Sequence, residues 1–229
     1  MTNVWIPIIL SIASAAFVPM AHRQQATAIE PVTIQSQGGA TLAAEYRHAG
    51  AASPGVLFFP MCSPGAEQGW SPVADRLHDL GVSSLVISYR GSRDRWKADA
   101  DAAVSFFRSR VGSATPLAVA GSSCGVYMAL LTASTRPDAI RAAVALTGPH
   151  SDDLVGFIRR SPGIAVYSGA SEKDGPAAGW ARELRGASSN PDSKLVLLSE
   201  LAHGTDLFAV EESLAPEISK WLAGQLRTK

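Results

Sequence analysis

What most constrains this chain is a regular alternation from Gly55 onward. Short apolar runs trade places with stretches whose apolar residues recur at helical spacing. An apolar run without polar alternation suits a strand covered on both faces. Gly55–Pro60 is such a run and Val82–Tyr89 a second, while Leu117–Gly121, Ala142–Thr147, Ile164–Gly169 and Lys194–Ser199 read as four further strands. Ser71 and Pro72 open a helix as N-cap and first-turn residue. Val73, Leu77 and Leu80 then fall on one face before Gly81 ends it. Further helical stripes are Ala100, Ala103, Val104 and Phe107; Val126 to Ala133; Ala177, Trp180, Ala181 and Leu184; and Leu214, Ile218, Trp221 and Leu222. Upstream, Pro31–Ser36 and Thr41–His48 read as a hairpin around Gly38-Gly39. Strands joined by helices demand crossovers, hence a mostly parallel sheet with helices on both faces. The expectation is an α/β fold of about eight strands with an N-terminal antiparallel hairpin. Residues 29–229 form one domain in this reading, with no internal repeat or linker.

Composition narrows the function. Twenty basic and 20 acidic side chains balance, which argues against a dedicated nucleic-acid binder. With 46% hydrophobic and 17% charged residues the 229-residue chain has material for a core. Two cysteines permit one disulfide at most, and no Cys/His cluster has zinc-site spacing. Trp5 to Met20 carries no charge and is short for a bilayer span of about 20 residues. A polar stretch and the small-x-small site Ala26-Thr27-Ala28 follow, the layout of a secretory signal. No Lys or Arg precedes the apolar run, which departs from that layout. Residues 1–28 are expected to be a signal, cut after Ala28 or, as the lesser alternative, after Ala21. The mature chain would be secreted or periplasmic with no stable membrane span. An uncleaved N-terminal anchor or a misassigned start is the competing reading.

In a sheet of this kind function gathers at the carboxyl ends of the strands. After Leu117–Ala120 comes Gly121-Ser122-Ser123-Cys124-Gly125, a G-x-S-x-G between an apolar strand and an apolar helix. A nucleophilic serine on so tight a turn needs flanking glycines, because other side chains would collide there. A Gly/Ser loop with no chemistry is the bland alternative. After Ile164–Gly169 come Glu172 and Asp174, and after Lys194–Ser199 comes His203. A serine hydroxyl needs a base, and the base needs a carboxylate to hold its tautomer. Asp174 is the favoured acid over Glu172, although it could merely cap the following helix. His203 is favoured over His150, whose neighbours Asp152 and Asp153 look like a solvated turn. The chain order Ser, acid, His is the α/β-hydrolase order.

At these residues the chain resembles the α/β-hydrolase superfamily, over Pro31 to Arg227. Phe59-Pro60-Met61-Cys62 through Gly69-Trp70-Ser71-Pro72 looks like the family's oxyanion loop and first helix. Tyr89-Arg90-Gly91-Ser92 resembles its D-x-R-G segment, and Leu201-Ala202-His203-Gly204-Thr205-Asp206 its histidine loop. The elbow Gly121 to Leu130 is also similar to that of prolyl-oligopeptidase-type peptidases, but there is no room here for their propeller. Compact dienelactone-hydrolase-like proteins and small esterases match better in size. Serine replaces the dienelactone hydrolases' cysteine, and Pro60-Met61 stands where the oxyanion loop usually has His-Gly.

The resemblance implies hydrolysis of a small-molecule carboxylic ester through Ser123, Asp174 and His203 and an acyl-enzyme. Peptide, thioester or lactone cleavage by the same residues, or a silent binding module, are the alternatives. Backbone N–H groups of Cys124 and of Met61 or Cys62 would hold the oxyanion. No cofactor or metal is called for. Only 148–163 lies where some relatives insert a cap, so the site should be open and shallow. Met61, Trp70 and Leu154 are its expected apolar walls, and short soluble acyl groups its substrates. In this fold Cys62 and Cys124 lie on converging segments, close enough for a disulfide. Two separate thiols are the slightly favoured reading. Oligomeric state is open.

Overall fold

The computed structural model describes residues 1, 29–88 and 93–227. The presumed signal, apart from Met1, and Tyr89-Arg90-Gly91-Ser92 lie outside the described residues. Eight strands form a single sheet: β1 (Ile29–Gln35), β2 (Thr41–Arg47), β3 (Gly55–Phe59), β4 (Ser83–Ile87), β5 (Leu117–Ser122), β6 (Ile140–Leu146), β7 (Ala165–Ser171) and β8 (Lys194–Leu198). Their order across the sheet is β1-β2-β4-β3-β5-β6-β7-β8. β1 and β2 pair antiparallel, β2 is antiparallel to β4, and every other pair is parallel. The hairpin register runs from Ile29 opposite Arg47 to Gln35 opposite Thr41, around the turn at Gln37–Gly39.

The helices are α1 (Ser71–Asp79), α2 (Trp96–Val111), α3 (Cys124–Thr135), α4 (Asp152–Arg159), α5 (Ala177–Ala187), the single turn α6 (Leu207–Val210) and α7 (Leu214–Leu226). They divide between two cores. α2, α3, α4 and α5 pack Phe107, Val126, Ile158 and Leu184 on one face of the sheet. α1 and α7 pack Val73, Leu77, Ile218 and Leu222 on the other. β3, β4, β5 and β7 are buried along their whole length. Both faces of each strand are covered, which suits their mostly apolar sequences and buries the serines of β4 and β7 as well.

Arg47 fastens the first helix to the sheet, a feature the sequence does not announce. Its guanidinium is fully buried, with Nε donating to Asp75 Oδ1 at 2.8 Å and Nη1 to Glu45 Oε2 at 3.3 Å. A buried cation needs such partners, because removing it from water is otherwise costly.

The chain leaves β3 for β4 on one side and later enters β5 on the other, so β3 lies at the point where the winding reverses. In open parallel sheets the crevice at that reversal is where ligands bind. Loops after β3, β5, β6, β7 and β8 all emerge at that end.

Candidate active site

Phe59 and Gly121 are register partners on β3 and β5. Residues 60–62 and 122–124 therefore leave the sheet side by side. Ser123 stands at the sharp turn between β5 and α3, at φ 53° and ψ −127°. Its N–H donates to Leu146 O at 2.9 Å, and its carbonyl accepts from Val126 N–H at 3.0 Å. Holding a non-glycine residue in such a conformation costs on the order of 1–3 kcal/mol, so the surroundings must impose it. The flanking glycines allow the turn to close. A Cβ on Gly121 would collide with the backbone of Gly125 and Val126, and one on Gly125 with the carbonyl oxygens of Phe59 and Pro60.

β7 and β8 deliver the other two side chains. After β7, Asp174 N–H donates to Ser171 O at 3.2 Å and Ala177 N–H donates to Asp174 O at 3.1 Å. Ser171 Oγ donates to Glu200 O at 2.6 Å and ties this turn to the loop after β8. Across that junction Asp174 Oδ2 lies 2.7 Å from His203 Nδ1, and His203 Nε2 lies 2.8 Å from Ser123 Oγ. With the proton on Nδ1, the imidazole donates to the carboxylate and offers Nε2 to the serine hydroxyl. Such an array can deprotonate the hydroxyl as it attacks an electrophile.

Of the two acids left open by sequence, Asp174 is the one that meets the imidazole. Glu172 Oε1 instead accepts from Arg182 Nη2 at 2.7 Å, in an exposed ion pair. Nor does Asp174 cap α5, which starts at Ala177 behind Pro176 with no side-chain cap.

Cys62 and Cys124 are joined in a disulfide, with Cα atoms 5.9 Å apart. The sequence leaned toward two separate thiols, and the β3–β5 register is what brings them together. The bond fixes the loop after β3 against the first turn of α3. Cys124 opens that helix, where the leading N–H groups lack intrahelical acceptors and the dipole is positive. Met61 O accepts from Ser63 N–H at 2.9 Å, which turns this loop back on itself. The Met61 side chain abuts the histidine loop, since a Cβ on Gly204 would sit 2.5 Å from its Sδ.

Ser123, Asp174 and His203 share a cleft of about 320 Å³. Thr147, Gly148 and His150 wall it on one side, and Pro176, Ala177 and Trp180 on another. None of the three expected walls lines it, and Met61 turns toward Gly204 instead. Trp70 is fully buried between Phe58 and Phe208, with ring centroids 4.9 and 5.8 Å away. It clamps the segment after β3 to the helix that follows His203 instead of facing the cleft. Leu154 is 4% exposed and points with Val155 and Ile158 into the core beneath α4. Trp70 lies in the segment that resembles the oxyanion loop and first helix, and Leu154 in the short connection after β6, but position in the chain says nothing about which way a side chain turns.

Two of the observed wall residues, Thr147 and His150, carry polar groups. Thr147, at φ 53°, is an unusual position for a β-branched residue, and its buried hydroxyl has no protein partner. Its only sequence signal is a polar residue closing an apolar strand. His150 stands at the rim, where Nε2 lies 3.1 Å from Glu183 Oε2 and 3.6 Å from Asp152 Oδ1. These three donors lie close enough to share a cation, but all are exposed, and exposed clusters of this kind are common without one.

No family model matches the sequence, and no curated protein matches it. Solved structures do. A dienelactone hydrolase from Anabaena variabilis superposes with a TM-score of 0.71 at 18% identity, over 88% of this chain and 100% of that one. An esterase from Pyrococcus furiosus gives 0.68 at 13%, over 88% and 92%. The thermophilic carboxylesterase EstE1, cloned from a metagenomic library, gives 0.66 at 16%, over 88% and 90%. At these identities the likeness is one of architecture, and together with the eight-stranded, mostly parallel sheet it establishes that this chain has the α/β-hydrolase fold.

Proposed function

We propose that the protein is a serine hydrolase that cleaves carboxylic esters of small molecules. The observation that carries this reading is the unbroken hydrogen-bond relay from Asp174 through His203 to Ser123, at an elbow strained to present the serine. His203 Nε2 takes the Ser123 proton as Oγ bonds to the substrate carbonyl carbon. The carbonyl oxygen becomes an oxyanion, held by the Cys124 N–H and by that of Met61 or Cys62. As the tetrahedral intermediate collapses, the alkoxy bond breaks and His203 returns the proton to the departing alcohol. Water then repeats both steps on the acyl-enzyme, releasing the acid and regenerating Ser123. Asp174 stabilises the imidazolium throughout. The chemistry is carried by these side chains and backbone amides, with no step assigned to a cofactor or metal.

The fold neighbours described as esterases support the ester reading. The disulfide supports export, because such bonds persist in oxidising compartments. The exported chain would thus work outside the cytoplasm. A panel of matched esters, anilides and thioesters tests the reaction class. Esters should turn over fastest. Faster anilide or thioester cleavage would assign a peptidase or thioesterase, and no cleavage of any would point to a binding protein.

A further inference from the structure

The depression at Ser123 continues past the elbow. A second cavity of about 520 Å³ adjoins the cleft, and the two share Cys124, Pro149 and His150 as walls. Its apolar surface comes from Trp96 at the start of α2 and from Tyr127 and Leu131, one turn apart on α3. The Trp96 and Tyr127 rings lie 6.1 Å apart between centroids and are tilted by 49°. Trp96 is nearly buried, whereas Tyr127 is 37% exposed. An aromatic surface thus lies open beside the nucleophile, and aromatic rings favour tilted or offset contact with another ring. Asp94 and Lys97 at the rim carry opposite charges, so the cavity presents no net charge to an ionised group.

The position of His203 decides which half of an ester belongs here. His203 lines the cleft and not the second cavity. It must reach the leaving oxygen to protonate it, so the alcohol lies toward His203. The acyl chain then runs the other way across Cys124. Tyr127 and Leu131 lie about 4.5 and 10.5 Å along the helix from Cys124, at 1.5 Å per residue. A ring two or three bonds beyond the carbonyl would reach them.

We propose that this cavity is the acyl site, and that the preferred substrates are esters of uncharged arylalkanoic acids of about phenylpropanoyl size. This rests on the ester-hydrolase reading above. The test compares kcat/KM for ethyl 3-phenylpropanoate and ethyl butanoate, which share an alcohol and a similar carbonyl, by acid release. The native protein should favour the phenyl ester at least tenfold. Tyr127→Ala should lower that ratio at least fivefold, and Leu131→Trp, which fills the cavity, should lower it in the same direction. A native ratio near one, or a ratio that neither variant moves, overturns the assignment. So does a result in which the variants change the benzyl acetate to ethyl acetate ratio instead, because the cavity would then hold the alcohol. Butanoate turnover without phenyl preference overturns this inference and leaves the hydrolase reading standing. No turnover of any ester overturns both.

Discussion

Ser123 carries a conformation that few non-glycine residues adopt, and its neighbour Ser122 does not share its access. Ser122 is fully buried with a hydroxyl that has no partner, while Ser123 Oγ meets His203. Ser123→Ala should therefore fold and lose turnover by roughly 10⁴–10⁶-fold, as removal of a triad nucleophile does. Ser122→Ala should lose far less, and equal losses would move the nucleophile. Asp174→Asn should impair kcat strongly, whereas Glu172→Gln removes only an exposed pair with Arg182 and should change kcat less than about threefold. The reverse ranking would relocate the acid. Sequence alone favoured Asp174 but could not separate these carboxylates, because both follow β7 within three residues. What separates them is a hydrogen-bonded turn, Asp174 N–H to Ser171 O, that spacing does not reveal.

At the scale of elements, the site is a consequence of register. Phe59 opposite Gly121, Ser122 opposite Leu146 and Ser171 opposite Leu198 bring five loops to one end of the sheet. The strand–helix alternation made that end legible in advance, and with it the chain order Ser, acid, His. The disulfide was only half legible, because the sequence gives two cysteines near the site but not the spacing of their Cα atoms. By joining Cys62 to Cys124 it fixes the two segments whose N–H groups would hold the oxyanion. Reduction and alkylation should lower kcat in protein that circular dichroism still shows to be folded. Unchanged kcat in folded, alkylated protein would mean that the staple serves stability alone.

Across the whole molecule the cleft has no cover of its own among the described residues. The connection from β6 to β7 holds just α4, eight residues long, whose apolar side chains point into the core. Rates on a short-chain ester should therefore rise smoothly through its solubility limit, and a jump on micelle formation would contradict an open site. The adjoining aromatic cavity was not legible, because Trp96, Tyr127 and Pro149 come from three separate elements and meet only in the folded chain. Trp96 carries no motif, and Tyr127 and Trp70 stand out in the sequence only as members of the elbow segment and of the segment that resembles the oxyanion loop and first helix. In the proposed reaction the fold activates one serine, Ser123. Treatment with a fluorophosphonate, followed by peptide mass spectrometry, tests it most directly. A single stoichiometric adduct is expected on Ser123, strongly reduced in His203→Ala. No adduct, or one on another serine, would contradict it.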